Sequence, residues 1–429
     1  MASYNVLERW AARTLARFPR AYTSVKRVYQ RVNYLAFRDR KVRFELHTRA
    51  RLLTPMGWAG VEDQRGEWFF GYYDKTPWSA DMEHFLLHHP IGDVAEIMVL
   101  DRSASRVRTI GKASSWNFQQ GSQAQWLPGP HGPAVVFNDV VNDKLGCRLI
   151  SLDGTTDRFI PWPIQALHPN GHEALSINYR RVHAAQPEYG YAADVSNFSC
   201  DQALDRDGIW RMDLEAATAE LVVGLSTLAD AGEQPFPPGT VHMVNHLAYS
   251  PSGARFVFMH RWFNRRRKSA RLYVARHDGR DLRLLAQERT VSHYHWRDND
   301  HLLVWQHASK SGYRYYLIDV VCGDREPVGE GVFDIYGDGH PSYSPDRRWI
   351  VTDSYPDRAR FRHLLLFDTH SGKRIEVGRF FSPWRYDGGQ RCDLHPRWSP
   401  DGRWVSIDST HEGERRSYVV DVEGLVETG

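Results

Sequence analysis

RCDLHPRWSPDGRWVSIDSTHEG, residues 391–413, contains the unit from which the chain is built. Arg397 and Trp398 lead into Ser-Pro-Asp-Gly, where Pro presets φ and Gly tolerates a positive one. The run RWVSIDS that follows alternates apolar and polar residues, so the stretch reads as strand, tight turn, strand. With Trp398 as a ruler, similar units place a large residue at Trp78, Trp126, Leu167, Tyr249, Trp296 and Tyr343. The seven positions are 48, 41, 82, 47, 47 and 55 residues apart, which for the most part is the length of a four-stranded propeller blade. The 82-residue interval is one blade carrying an insertion at about 180–207, with GIWRMDLEAATAELVV supplying its outer two strands.

The expected fold is therefore all-β: a seven-bladed β-propeller over residues 46–429, preceded by a short basic helical extension over 1–45. A single blade cannot bury both faces, so the blades must stack in a ring. The segment VRFELHTR, residues 42–49, is expected to close that ring on the last blade.

The same ruler exposes a second regularity. Three residues before each ruler position stand Lys75, Gln123, Ile164, His246, His293, His340 and His395. The last four blades all carry histidine at one structural position, near the start of the innermost strand. Four imidazoles from adjacent blades should converge at one end of the channel, where they suit Zn²⁺, Mn²⁺ or a related divalent ion. His242, His295, Asp338, Gln390, Cys392 and Asp393 are near enough in sequence to add ligands or their partners.

The second strand of each blade should end on that same face, and these ends are polar. They supply His88, Asn138, Asp139, Tyr179, Arg180, His260, Arg261, Gln306, His307, Asp353, Asp408 and His411. Most strand ends are polar simply because they meet water. Gathered around an ion, they also make a site for an anionic ligand. Tyr72, Tyr73, Asp74 and Lys75 open the first blade on this face, where the tyrosines serve either packing or the site.

The stretches FFGYYDKTPWSADM (69–82), NFQQGSQAQW (117–126), DGHPSYSPD (338–346) and RCDLHPRWSPDGRWVSIDSTHEGERR (391–416) resemble the seven-bladed propeller polysaccharide lyases. That group includes oligogalacturonate lyase and the ulvan and rhamnose–glucuronate lyases. The Ser-Pro-Asp-Gly part is shared with TolB-type propellers; RCDLHPRW and DSTHEG are more specific. The resemblance implies cleavage of a uronate-containing glycan by β-elimination. It also implies a channel metal held by histidines and a glutamine, for which His246, His293, His340 and His395 are the matching set. The ulvan-type branch uses two histidines, a tyrosine and an arginine. Gln119, Gln120, Asn138 and Asp139 stand where that histidine pair is expected, a departure from the pattern. Tyr189 or Tyr191, and Arg211, take the places of the tyrosine and arginine.

β-Elimination requires removal of the C5 proton, neutralisation of the adjacent carboxylate and protonation of the leaving oxygen. The expected carboxylate clamp is Arg180, Arg211 or Arg261, and the expected base or acid is Tyr191, Tyr73 or His260. Tyr72, Lys75, Gln120, Asn138, His88 and His411 are expected to bind substrate. No nucleophile elbow, P-loop or dinucleotide fingerprint is present.

Charge is uneven. Residues 1–43 hold eleven Arg or Lys against Glu8 and Asp39, a net +9, while the whole chain carries +3. Two apolar stripes lie in this segment, Leu7, Trp10, Ala11, Leu15 and Phe18, then Val25, Val28, Tyr29, Val32, Leu35 and Ala36, with Pro19 between. They either pack on the propeller or rest on anionic lipid, and nucleic acid is not expected as a partner. Four scattered cysteines and no secretory h-region point to a cytoplasmic chain, peripheral to the inner membrane if the stripes meet lipid. The competing functional class is a non-catalytic glycan-binding or scaffold protein of capsule or exopolysaccharide assembly.

Overall fold

In the computed structural model the described residues are 19–38, 42–63, 66–128, 133–191, 204–231, 236, 239–264, 267–288, 291–308 and 312–427. Seven antiparallel sheets form seven blades. Each is threaded from the channel outward, because consecutive strands joined by tight turns pair with one another. Blade two illustrates the unit: Gln125–Leu127, Ala134–Val141, Lys144–Ser151 and Asp157–Ile160. Every ruler residue falls on or beside an innermost strand. Apolar residues from facing sheets fill the space between blades; Val257, Leu272, Tyr294 and Leu302, for example, pack between blades four and five.

Blade three carries the insertion where the spacing placed it. Its second strand ends at Ile177 and its third begins at Gly208. Between them lies a helix, Tyr179–Ala185, capped by the Asn178 side chain on the Arg181 amide. The base of the insertion is stapled by the buried Arg181–Asp207 pair at 2.5 Å. Residues 192–203 of the insertion lie outside the described residues.

Ring closure differs from expectation. Phe44–Leu46, inside the segment expected on the last blade, pairs instead with Arg374–Phe381 as a fifth strand of blade six. The next strand, Arg51–Leu53, pairs with Arg416–Asp421 and completes blade seven. A turn at 47–50 carries the chain from one blade to the next, so both final blades take their outermost strands from the N-terminal side.

Blade one has the other irregularity. Phe69 pairs with His88 and Trp78 pairs with Phe85, but the intervening residues leave the sheet. Gly71 has φ 128°, and a Cβ there would lie 3.0 Å from the Gln120 carbonyl carbon, so only glycine admits this departure. The excursion GYYDK crosses the channel. The Tyr73 hydroxyl reaches blade five, where it accepts from the Tyr294 amide and donates to the Tyr294 carbonyl, both at 2.9 Å.

Among the described residues, the N-terminal extension is the helix Pro19–Phe37. The expected first stripe, residues 7–18, lies outside them. No described helix is long and apolar enough to cross a membrane.

Candidate metal centre and channel site

Tyr72 is the hub of the channel. Its ring centroid lies within 6.5 Å of the rings of His246, His293, His340 and His395, one from each of the last four blades. The convergence read from the ruler is therefore real, but the four are not equivalent. His293 and His340 are 4.2 Å apart and His340 and His395 4.3 Å apart, centroid to centroid. His246 instead lies flat against the Tyr72 ring at 4.9 Å, with Gln120 Nε2 3.5 Å from its Nδ1.

His246 and His395 sit at φ 54° and 45°, and Gln123, at the same blade position, at 59°. Single left-handed residues of this kind cost energy outside glycine and persist where the surroundings hold them.

The tautomers follow from the partners. His340 Nδ1 lies 2.8 Å from Asp353 Oδ1 and His395 Nδ1 lies 2.7 Å from the Gly71 carbonyl. Both oxygens can only accept, so each Nδ1 carries a proton and Nε2 is the ring atom left to face the channel cluster. Both Nε2 atoms are buried without a partner. His293 is held the same way, by Asp338 at 2.9 Å. Asp353 also accepts from the His340 and His395 amides, fixing both histidines from one carboxylate.

Asp393 completes a triad. Ligand atoms of His340, Asp393 and His395 lie within 4.8 Å of one another, and all three residues are buried. Burial pushes the Asp393 carboxyl up, but Arg362 and Arg391, at 2.5 and 2.7 Å, hold it well below the usual carboxylate range. Burial likewise keeps His395 well below the ordinary histidine value and therefore neutral. Two fixed imidazoles with unpartnered Nε2 atoms beside an ionised carboxylate fit a divalent metal.

Above this cluster the insertion returns to the channel. The Tyr189 ring is edge-on to Tyr72 at 6.4 Å and to His246 at 5.7 Å. Its hydroxyl accepts from Arg391 at 2.5 Å. Arg261, half-buried on blade four, donates to Asn245 at 3.1 Å. On the other side of Tyr72, Lys75 pairs with Asp74 at 2.6 Å and lines a cavity of about 270 Å³ with Tyr249 and Trp296.

Several expected site residues do other work. Tyr73 is a strut, its hydroxyl saturated by Tyr294, so it is not the base. Asn138 donates to the Ile164 carbonyl and to the Tyr191 hydroxyl and accepts from the Ile164 amide, which binds blade two to blade three rather than to substrate. Tyr191 is thereby part of that joint, and it stacks on Tyr179 at 4.6 Å. Arg211 faces Glu220 and Glu173 on the outer part of blade three, away from the channel.

His88 is packed on Phe69 and bonded through Nε2 to Ser122, and burial lowers it to about 4. His260 is fully buried and paired with His242 at 3.0 Å. His411 bonds Ser409 and lies edge-on to Phe44 and Phe380, where blades six and seven meet the closing strand. Arg180 is half-buried on the insertion helix.

Arg391 and Arg362 were not singled out from the sequence. The usable signal was Arg391 itself, two residues before Asp393 in RCDLH.

No protein-family model and no curated protein matches the chain. Among solved structures, an oligogalacturonate lyase in complex with manganese is similar at 14% identity, over 82% of this chain and 90% of that one, with a TM-score of 0.60. An oligogalacturonate lyase from Vibrio parahaemolyticus is similar at 14% identity, over 88% and 96%, with a TM-score of 0.62. At that identity the likeness is one of architecture: this chain is a seven-bladed β-propeller built as the oligogalacturonate lyases are, with a potential metal-binding triad in its channel.

Proposed function

We propose that the channel holds a divalent metal, manganese or zinc, through His340, His395 and Asp393, and that the protein is a lyase cleaving uronate-containing oligosaccharides by β-elimination. The observation that carries this reading is the pair of buried Nε2 atoms without a hydrogen-bond partner, each ring fixed through its Nδ1, beside an ionised carboxylate. The solved lyase with manganese adds a precedent on the same architecture. A metal at such a position neutralises a substrate carboxylate and so acidifies the adjacent C–H.

The chain's own residues supply the rest. Arg391 and Arg261 are the cations placed for a uronate carboxylate, and guanidinium groups suit its planar, two-oxygen geometry. Tyr189, oriented by Arg391, is placed to exchange a proton with the sugar. The C5 proton is removed, the C4–O bond breaks with its electron pair, and the departing oxygen takes up a proton. Tyr72 and the GYYDK crossing form the floor, so substrate reaches the histidines from the mouth that Tyr189 overhangs.

The test is metal content of the purified protein together with ultraviolet absorbance of the unsaturated uronate product on a panel of uronate oligosaccharides. Stoichiometric metal with rising absorbance supports the lyase. Glycan binding without turnover replaces it with the non-catalytic reading. Absence of metal after reconstitution removes the centre on which it rests.

A further inference from the structure

The helix Pro19–Phe37 has three faces. Gln30 and Asn33 abut Pro356, Asp357, Arg358 and Arg360 of blade six, and Tyr34 packs on Phe381 and Trp384 at 6.1 and 5.9 Å. That face is bound to the propeller. A second face carries Val25, Val28, Val32 and Leu35, spaced three and four residues apart, and these side chains are 44–63% exposed. Between the two faces run Arg27 and Arg31, one turn apart and also exposed. The helix contains no acidic residue, and the segment 1–43 carries net +9. The expectation that the stripe packs on the propeller is overturned, since Tyr34 and its neighbours take that role.

We propose that this exposed face docks the protein on an anionic lipid bilayer, Val25, Val28, Val32 and Leu35 entering the acyl boundary while Arg27 and Arg31 meet the headgroups. An aliphatic stripe edged by arginines is the composition of a helix lying in a charged membrane interface. A second copy of the chain fits less well, because two-fold pairing of the stripes sets one arginine row against another. A nucleic acid fits less well too, since an aliphatic stripe offers no ring on which a base can stack.

The docking also has an orientation. The loop Ser354–Arg360 holds the helix through Arg358, which lies 5.6 Å over the Phe37 ring. The same loop carries Tyr355, 6.1 Å from the His340 ring. A bilayer on the helix therefore lies beside the mouth of the histidine channel. This inference stands whether or not the channel is a lyase, because its test reads lipid binding alone.

The experiment is co-sedimentation of the full-length protein with vesicles of phosphatidylcholine, with and without phosphatidylglycerol. Wild type is compared with Val28→Asp/Val32→Asp and with Arg27→Glu/Arg31→Glu, and thermal unfolding checks that the exposed changes leave the propeller intact. The expected result is binding to anionic vesicles only, weakened by at least about tenfold in either variant and by added salt. Equal binding to neutral vesicles, or anionic binding that both variants retain, overturns the proposal. So does a wild-type dimer that Val28→Asp/Val32→Asp converts to monomer without any lipid binding, or arginine-dependent binding to RNA in its place.

Discussion

Arg391 joins the Tyr189 hydroxyl to the Asp393 carboxylate: one guanidinium donates to Tyr189 at 2.5 Å and to Asp393 at 2.7 Å. A residue of the insertion and a residue of the seventh blade thus share one cation at the channel mouth. In the proposed lyase, Tyr189→Phe removes the exchanging proton but not the ring. Turnover should fall by about 10²–10⁴-fold with substrate binding largely kept, read as kcat against KM on the uronate substrate that works best. An unchanged kcat would move the acid–base role elsewhere.

In the proposed metal centre, Asp353 fixes both histidines without itself being a ligand. Asp353→Asn should lower metal affinity by about 10–100-fold while leaving one metal per chain at saturation. Titration of the metal-free protein, followed calorimetrically, distinguishes this from loss of the site. His395→Ala, by contrast, should abolish stoichiometric binding.

Asp408 accepts from the Phe70 and Gly71 amides at 3.2 and 3.1 Å and pairs with Arg397 at 2.9 Å, so it ties the channel crossing to blade seven. Asp408→Ala strips a buried guanidinium of its counter-ion, leaving it only the Gly71 and Tyr72 carbonyls, and leaves two buried amides unpaired. Stability should drop by about 3–5 kcal/mol, seen as a lower denaturant midpoint.

Acid sensitivity should be marked. Burial lowers His88 and His411 to about 4 and His260 to about 3, against the ordinary 6.5. Between those values the unfolded chain binds protons that the folded chain refuses, so stability is lost as pH falls through the window. Each such group removes about 1.4 kcal/mol per pH unit below 6.5. His363 opposes them weakly: burial lowers it, but Asp357 and Glu376 raise it above 6.5, so its contribution is lost as pH rises. Denaturation midpoints should be flat above about pH 7 and fall steeply below about pH 6. A flat profile down to pH 5 would contradict the buried neutral histidines.

Arg211→Ala should leave turnover unchanged. Its partners Glu173 and Glu220 are on the second and fourth strands of blade three, and a partly exposed pair contributes about 0–1 kcal/mol. A large loss of activity would return Arg211 to the site.

The seven blades were legible because every one repeats the same turn chemistry beside a large residue, and Trp398 sets the phase for all of them. The histidines were legible for the same reason, since a fixed offset from a strand start is a fixed place around the axis. What escaped was whatever does not repeat. Phe44–Leu46 and Arg51–Leu53 are three-residue strands, too short to show a period, and which blade each joins depends on the turn between them. Asn138 looked like a mouth residue because strand ends are polar, and Tyr191 looked catalytic through the resemblance, yet each found its partner in the neighbouring blade. Tyr73 looked free to act because nothing in its neighbourhood in the sequence announces Tyr294, 221 residues away. Asp393 was named as a neighbour of the histidines, but Arg391 sits in an irregular approach to the last inner strand, where spacing carries no geometric meaning.

The two closing strands also set an order of events during synthesis. Phe44–Leu46 and Arg51–Leu53 leave the ribosome long before their partners, Arg374–Phe381 and Arg416–Asp421. The early strands must wait, edges bare, through more than three hundred residues of translation. The ring therefore closes only once blade seven has been made, and loss of Arg416–Asp421 leaves Arg51–Leu53 without a mate.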